Sequence, residues 1–176
     1  MGIPTRSSVD ISAPREEVFS WLVEPAKLVT WLGGSGSMPQ DRTQLRVGFR
    51  GQSPFATPLG ERMLGLEVTA WDPPSSFAFL MTYPGGDSLT TYRLTETVTG
   101  TTLEVIGDTD WGEADTSAVD AEIAQAPERD QQAMRDRLAA AEAQVAAGDF
   151  DASAQAPMQQ AVEASLTKLK GLVEAG

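Results

Sequence analysis

Tyr83, Tyr92, Trp111 and Arg62 are the residues of this chain best placed to do chemistry. Each falls on the apolar phase of an alternating segment, so each is expected to carry a hydrogen-bonding group toward the same interior as its apolar neighbours. A tyrosine hydroxyl in such a place can orient a ligand carbonyl, or it can bond a backbone group. An arginine at the mouth of that interior can pair with a carboxylate or polarise a carbonyl. If its strand begins later in the chain, Arg62 is simply solvated. The carboxylates Glu61, Glu67, Glu104, Asp108 and Asp110 fall on the opposite phase, as do Arg46, Arg50 and Arg93. Paired-carboxylate catalysis needs two acids converging on one pocket, and nothing in this spacing brings two together.

The chain excludes more chemistry than it offers. It has no histidine and no cysteine. A Ser-His-Asp triad, an imidazole shuttle, a thiolate nucleophile, a disulfide and the common zinc sites therefore cannot be built. Any acid–base work falls to Asp, Glu, Tyr, Lys or Arg in environments that shift their pKa values. No spacing matches a calcium loop, so no metal is expected, and no cofactor is implied. Gly33-Gly34-Ser35-Gly36 follows a helix instead of joining a strand to one, which rules out a phosphate loop.

The elements that must hold these residues follow from periodicity. Arg6 to Ser12 alternates as a half-buried strand. A helix then starts near Pro14, with Ser12 able to cap it and Glu16 and Glu17 meeting the positive end of its dipole. Val18, Phe19, Trp21 and Leu22 are its apolar stripe. Pro25 opens a second short helix carrying Leu28, Val29, Trp31 and Leu32, stopped by the glycines at 33–36. Strands follow: Leu45, Val47 and Phe49; then, after a loop with Pro54 and Pro58, Leu64, Leu66, Val68 and Ala70. Phe77, Phe79, Met81 and Tyr83 form the face of the next strand. The last two strands carry Thr90, Tyr92 and Leu94, and then Leu103, Val105, Gly107, Thr109 and Trp111. Short turns between them imply an antiparallel meander. Residues 112–126 read as an acidic loop, 127–147 as a helix with the seam Met134, Leu138, Ala141 and Val145, and 149–156 as a linker. A final helix over 157–174 places Met158, Val162, Leu166, Leu169 and Val173 on one face.

At 176 residues and 41% hydrophobic composition the chain fits one globular domain. Its net charge of −12 disfavours phosphate backbones and anionic lipid, so neither nucleic acid nor a membrane surface is expected as partner. No run is long and apolar enough for a membrane span, and the first residues lack a signal-peptide core, so a cytoplasmic location is the expectation. The acidity is uneven: ten acids against three arginines lie within residues 112–151. The 127–147 helix can be a brace on its own domain or a homodimer contact.

Particular residues in this order resemble the SRPBCC or START-like superfamily, closest to its polyketide-cyclase-like and activator-of-Hsp90-ATPase-homologue-like bacterial members. They are Ile11-Ser12-Ala13-Pro14-Arg15-Glu16-Glu17-Val18-Phe19, Trp31-Leu32-Gly33-Gly34, Val68-Thr69-Ala70-Trp71-Asp72-Pro73-Pro74, Gly100-Thr101-Thr102-Leu103-Glu104-Val105 and the segment Ser165–Glu174. The resemblance covers 6–111 and 157–174. It implies an α+β helix-grip fold, a curved antiparallel sheet wrapped around a long C-terminal helix, making 1–176 one START-like domain with 112–156 an acidic, partly helical insertion. It further implies a cavity between sheet and helix for a small hydrophobic molecule. The residues expected to line it are Phe49, Arg62, Leu64, Leu66, Phe79, Met81, Tyr83, Tyr92 and Trp111 from the sheet, with Val162 and Leu166 from the helix; for any one of them, plain core packing is the alternative. The superfamily spans carriers, cyclases, aromatases, hydratases and co-chaperone-like modules, so the resemblance implies a binding protein, an enzyme on a polyketide-like substrate or an interaction module without choosing among them.

Overall fold

The computed structural model describes residues 3–32, 45–57, 60–83, 86–111, 123–146 and 149–175, and within them not the side chains of 32, 53–57, 60–63, 83, 111, 137–138, 140–146 and 149–154. Six strands and four helices make up the described chain: β1 (Ile3–Ile11), α1 (Arg15–Val23), α2 (Pro25–Leu32), β2 (Arg50–Thr57), β3 (Gly60–Asp72), β4 (Ser76–Tyr83), β5 (Gly86–Thr97), β6 (Gly100–Trp111), α3 (Glu128–Ala146) and α4 (Asp149–Ala175). The strands form one antiparallel sheet in the order β1-β6-β5-β4-β3-β2. The meander from β2 to β6 is the one expected from the short turns. β1 closes onto β6, so α1 and α2 carry the chain from one edge of the sheet to the other.

Side-chain alternation sets the two faces of that sheet. On β6, Thr101, Leu103, Val105, Gly107 and Thr109 are buried, while Asp108 and Asp110 are exposed. Ile3, Thr5 and Ile11 on β1 fall on the same buried side. That side packs on α4 through Leu166, Leu169 and Val173, and on α1 through Val18, Phe19, Leu22 and Val23, in one hydrophobic cluster. The apolar spacing of the last helix is therefore its buried face, as periodicity predicts.

α4 also covers the free edge of β1. The Gln159 carboxamide accepts from the Arg6 N–H at 3.2 Å and donates to the Arg6 carbonyl at 2.9 Å, standing in for the backbone of a neighbouring strand. Gln155 donates to the Pro4 carbonyl, and Lys170 to the Asp10 carbonyl. At the far end, the Ser12 N–H donates to Glu174 at 2.8 Å. The helix thus runs the length of β1. At this same end of the strand, Thr101 Oγ1 donates to the Ala13 carbonyl, and Gly100 at φ +152° comes so close to Ile11 that a Cβ would overlap its carbonyl oxygen.

Four expectations are corrected. First, residues 45–49 are not a strand: Phe49 N–H bonds the Arg46 carbonyl across a turn with Gly48 at φ +85°, and Val47, expected inside, is 61% exposed. The strand lies further along, through Pro54, which an edge strand tolerates because its missing N–H faces no neighbour. Second, β3 bulges between Val68 and Ala70. The extra residue reverses the phase, so Ala70 is exposed and Trp71 turns inward against Phe19 and Phe77. Third, Ser12 does not cap α1; Pro14 occupies the cap position without a side-chain hydrogen bond, and the Ser12 backbone serves Glu174 instead. Fourth, 149–156 is not a linker: α4 begins at Asp149 and includes Pro157. A proline removes one helical hydrogen bond, and helix formers on both sides outweigh that loss here. The expected stop at 33–36 and residues 112–122 of the expected loop 112–126 lie outside the described residues; 123–125 form a helical turn with Ile123 buried.

Candidate functional site

Tyr92 stands at the centre of the concave face. β5 is an inner strand, and the register sets Ser7, Val105, Tyr92, Phe77 and Trp71 side by side across β1, β6, β5, β4 and β3. The Tyr92 ring stacks on Phe77 at 4.7 Å between centroids and 9° between planes, and on Phe79 at 5.9 Å. Trp31 meets it edge-on at 6.4 Å. Trp31 is itself fixed: it is 4% exposed, and its Nε1–H donates to the Ser165 carbonyl of α4 at 2.9 Å. An aromatic cluster thus joins α2, α4 and three strands around one phenol.

That phenol is desolvated. Burial pushes its pKa well above the ordinary tyrosine value, with neither a charge nor a hydrogen bond contributing. The hydroxyl therefore stays neutral and can donate. Among the described residues no group is bonded to it. The surroundings are dense, yet Tyr92 keeps some accessible surface.

The same is true of its neighbours. Phe49, Leu66, Phe79 and Val162 pack on the core cluster while staying only partly buried, and Met81 and Thr90 beside them are half-buried. Around them Val68, Leu94, Leu103, Val105 and Leu166 are buried. Surface thus remains accessible on these side chains, beside neighbours that are buried. Leu64 is buried too, outside the central cluster.

Of the residues expected to line this interior, the structure brings Phe49, Leu66, Phe79, Tyr92, Val162 and Leu166 together. Met81 joins them opposite Leu66. Arg62, Tyr83 and Trp111 hold backbone positions in β3, β4 and β6, and their side chains lie outside the described residues, as does that of Glu61. Sequence reasoning missed Trp71 and the use of Trp31. For Trp71 a signal existed: an indole on the convex phase just before Asp72-Pro73-Pro74 is out of keeping with a solvated face, and a phase reversal resolves it.

The strand carboxylates whose side chains are described, Glu67, Glu104, Asp108 and Asp110, lie on the convex phase. Glu104 lies on the convex face with Arg6 at 2.6 Å and Arg93 at 3.8 Å, and Glu67 pairs with Arg50 at 2.9 Å. No group of acids among the described residues could hold a metal ion. No helix among them is long and apolar enough to cross a membrane.

A curved six-stranded antiparallel sheet closed over a C-terminal helix is the helix-grip fold. Residues 3–143 match the family described as polyketide cyclase / dehydrase and lipid transport, and the chain belongs to that family. Solved structures agree on the fold. The protein CV1439 from Chromobacterium violaceum superposes with a TM-score of 0.61 at 18% identity, over 97% of each chain. BH1534 from Bacillus halodurans gives 0.61 at 18% identity, over 99% of this chain and 97% of its own. DynU16, described as a putative protein in the dynemicin biosynthetic locus, gives 0.51 at 21% identity, over 70% of this chain and 43% of its own. No curated protein matches the chain.

Proposed function

We propose that this protein binds a small hydrophobic molecule between the concave face of its sheet and α4. The observation that carries the reading is the accessible surface left on Phe49, Leu66, Phe79, Met81, Tyr92 and Val162 beside the buried core of the grip. Ligand sites are concave, mostly apolar and furnished with few polar groups, and the Tyr92 hydroxyl is such a group. Leu64 and Leu166 extend the lining. Arg62, Tyr83 and Trp111 are proposed to join it from the same strand phase. A family whose description includes lipid transport supports the same reading.

Native mass spectrometry of freshly purified protein tests it. A non-covalent mass of a few hundred daltons that disappears on denaturation is the expected result, and extraction then identifies the molecule. A protein that stays empty after incubation with a library of apolar small molecules refutes the reading.

A second reading, catalysis on a polyketide-like substrate, is favoured by the unpartnered, neutral Tyr92 hydroxyl, which could polarise a carbonyl while the grip supplies orientation. The family description and the setting of DynU16 point the same way. Product formation that Tyr92→Phe abolishes while binding persists would separate enzyme from carrier. The cytoplasmic setting is part of the same proposal; for residues 127–147 the brace is proposed over the homodimer contact, because α3 contacts α4 in its own chain.

A further inference from the structure

The concave face is chemically divided, and the division says what kind of molecule it suits. Toward β3 and β4 it presents Leu66, Val68, Phe79 and Met81; across β5 and β6 the rungs of these four residues continue as hydroxyls and a glycine. Val68 and Phe79 are followed by Thr90, Gly107 and Thr5, and Leu66 and Met81 by Ser88 and Thr109, with the apolar Ile3 closing that rung on β1. Ser88 Oγ and Thr109 Oγ1 lie 2.9 Å apart, both in buried residues. In such a pair one hydroxyl donates to the other, so one hydrogen is left for a third group. Next to them Gly107 has no Cβ, and Thr5 Oγ1 occupies the space a Cβ would need.

Where its side chains are described, the face also lacks charge. Among the described residues, β1 from Ile3 to Ile11, β5 from Ser88 to Leu94 and β6 from Thr101 to Thr109 turn no charged side chain to it, and neither do Leu64, Leu66, Val68 and Trp71 of β3 nor Phe77, Phe79 and Met81 of β4. A carboxylate or phosphate placed beside Ser88 and Thr109 would lose its hydration with no cation among these described side chains to replace it. An uncharged hydroxyl or carbonyl would find a donor and several acceptors.

We infer that the hydroxyl pair Ser88–Thr109 is the polar end of the site and selects an uncharged, oxygen-headed amphiphile whose apolar body lies over Phe79 and Met81. This rests on the binding function proposed above and names its ligand class. Arg62 is the one basic residue of β3 on this phase, so the inference excludes it as the principal anchor.

The test uses the intact protein and the uncharged fluorophore N-phenyl-1-naphthylamine, displaced by decan-1-ol, decanoate or decane. At about pH 8, where decanoate is ionised, decan-1-ol is expected to bind at least about tenfold more tightly than decanoate. Ser88→Ala with Thr109→Val should weaken decan-1-ol about fivefold, the worth of one hydrogen bond, and leave decane unchanged. Thr109→Ser, which keeps a hydroxyl, should keep the affinity. If the double variant fails to fold, the isosteric Thr109→Val alone makes the comparison. Decanoate binding as tightly as decan-1-ol, or a decan-1-ol affinity indifferent to the hydroxyls, overturns the inference while leaving ligand binding intact. Failure of the fluorophore and all three displacers to bind removes the binding function itself, and the inference with it.

Discussion

Replacing Tyr92 by Phe deletes a single oxygen at the centre of the grip, and the sign of its effect on stability is diagnostic. A buried tyrosine that anchors the fold donates to a backbone or side-chain acceptor, and its loss costs about 0.5–1.5 kcal/mol. Tyr92 has no such partner among the described residues, and burial alone accounts for its raised pKa. Burying an unpaired hydroxyl costs about 1–3 kcal/mol by mutational measurement. Tyr92 keeps part of its surface accessible, so water offsets much of that cost. The ring contacts with Phe77, Phe79 and Trp31 survive the change. For the ligand-free protein, Tyr92→Phe is therefore expected to be neutral or to stabilise by up to about 1 kcal/mol, raising Tm by about 0–4 °C for a chain of this size. Urea unfolding followed by fluorescence and circular dichroism measures this, with unchanged m-values confirming the comparison. With a ligand bound through an oxygen the sign should reverse, because the variant loses part of the ligand's stabilisation. A loss of 1 kcal/mol or more in the ligand-free protein (about the worth of one hydrogen bond) would show that the hydroxyl is structural and refute the reasoning.

Two further perturbations probe the frame around that site. Trp31→Phe keeps an aromatic ring but removes the bond to the Ser165 carbonyl and part of a side chain that is 4% exposed; it should cost roughly 2 kcal/mol, from one hydrogen bond plus a small cavity, and a change below about 0.5 kcal/mol in urea unfolding would mean that α2 is not held to α4 through this residue. Glu174 is held below the usual glutamate pKa, first by the Ser12 N–H and also by Lys170 at 3.6 Å. A carboxyl whose folded pKa is depressed stabilises the fold above its unfolded pKa of about 4.3 and loses that contribution as pH falls through the folded value. Wild type should thus melt above Glu174→Gln at neutral pH, with the gap closing as the pH is lowered past that range; a gap independent of pH would assign the effect to packing.

Much of this architecture is written locally. The alternation that places Thr90, Tyr92 and Leu94 on one side of β5, and Leu103 and Val105 on one side of β6, needs only successive side chains pointing to opposite faces, and the structure keeps it. The spacing of Val162, Leu166, Leu169 and Val173 likewise marks one face of a helix. Where the reading failed, the deciding partner was distant in sequence. Val47 left the interior because Gly48 and Phe49 bond to Val68 of β3, which needs a turn there and not a strand. Trp71 entered it because pairing with β4 admits an extra residue on β3.

By itself, then, the sequence determined most of the strands and helices with their apolar faces, the family and the absence of imidazole and thiol chemistry, since these depend on residue type and short-range period. Only the tertiary structure decided which aromatic rings surround Tyr92, that its hydroxyl meets no partner among the described residues, that Ser12 serves Glu174 across the chain, and that Ser88 and Thr109 share a bond. Each of those depends on strand register or on how a helix lies against the sheet. Long-range packing sets both, and no local pattern encodes them.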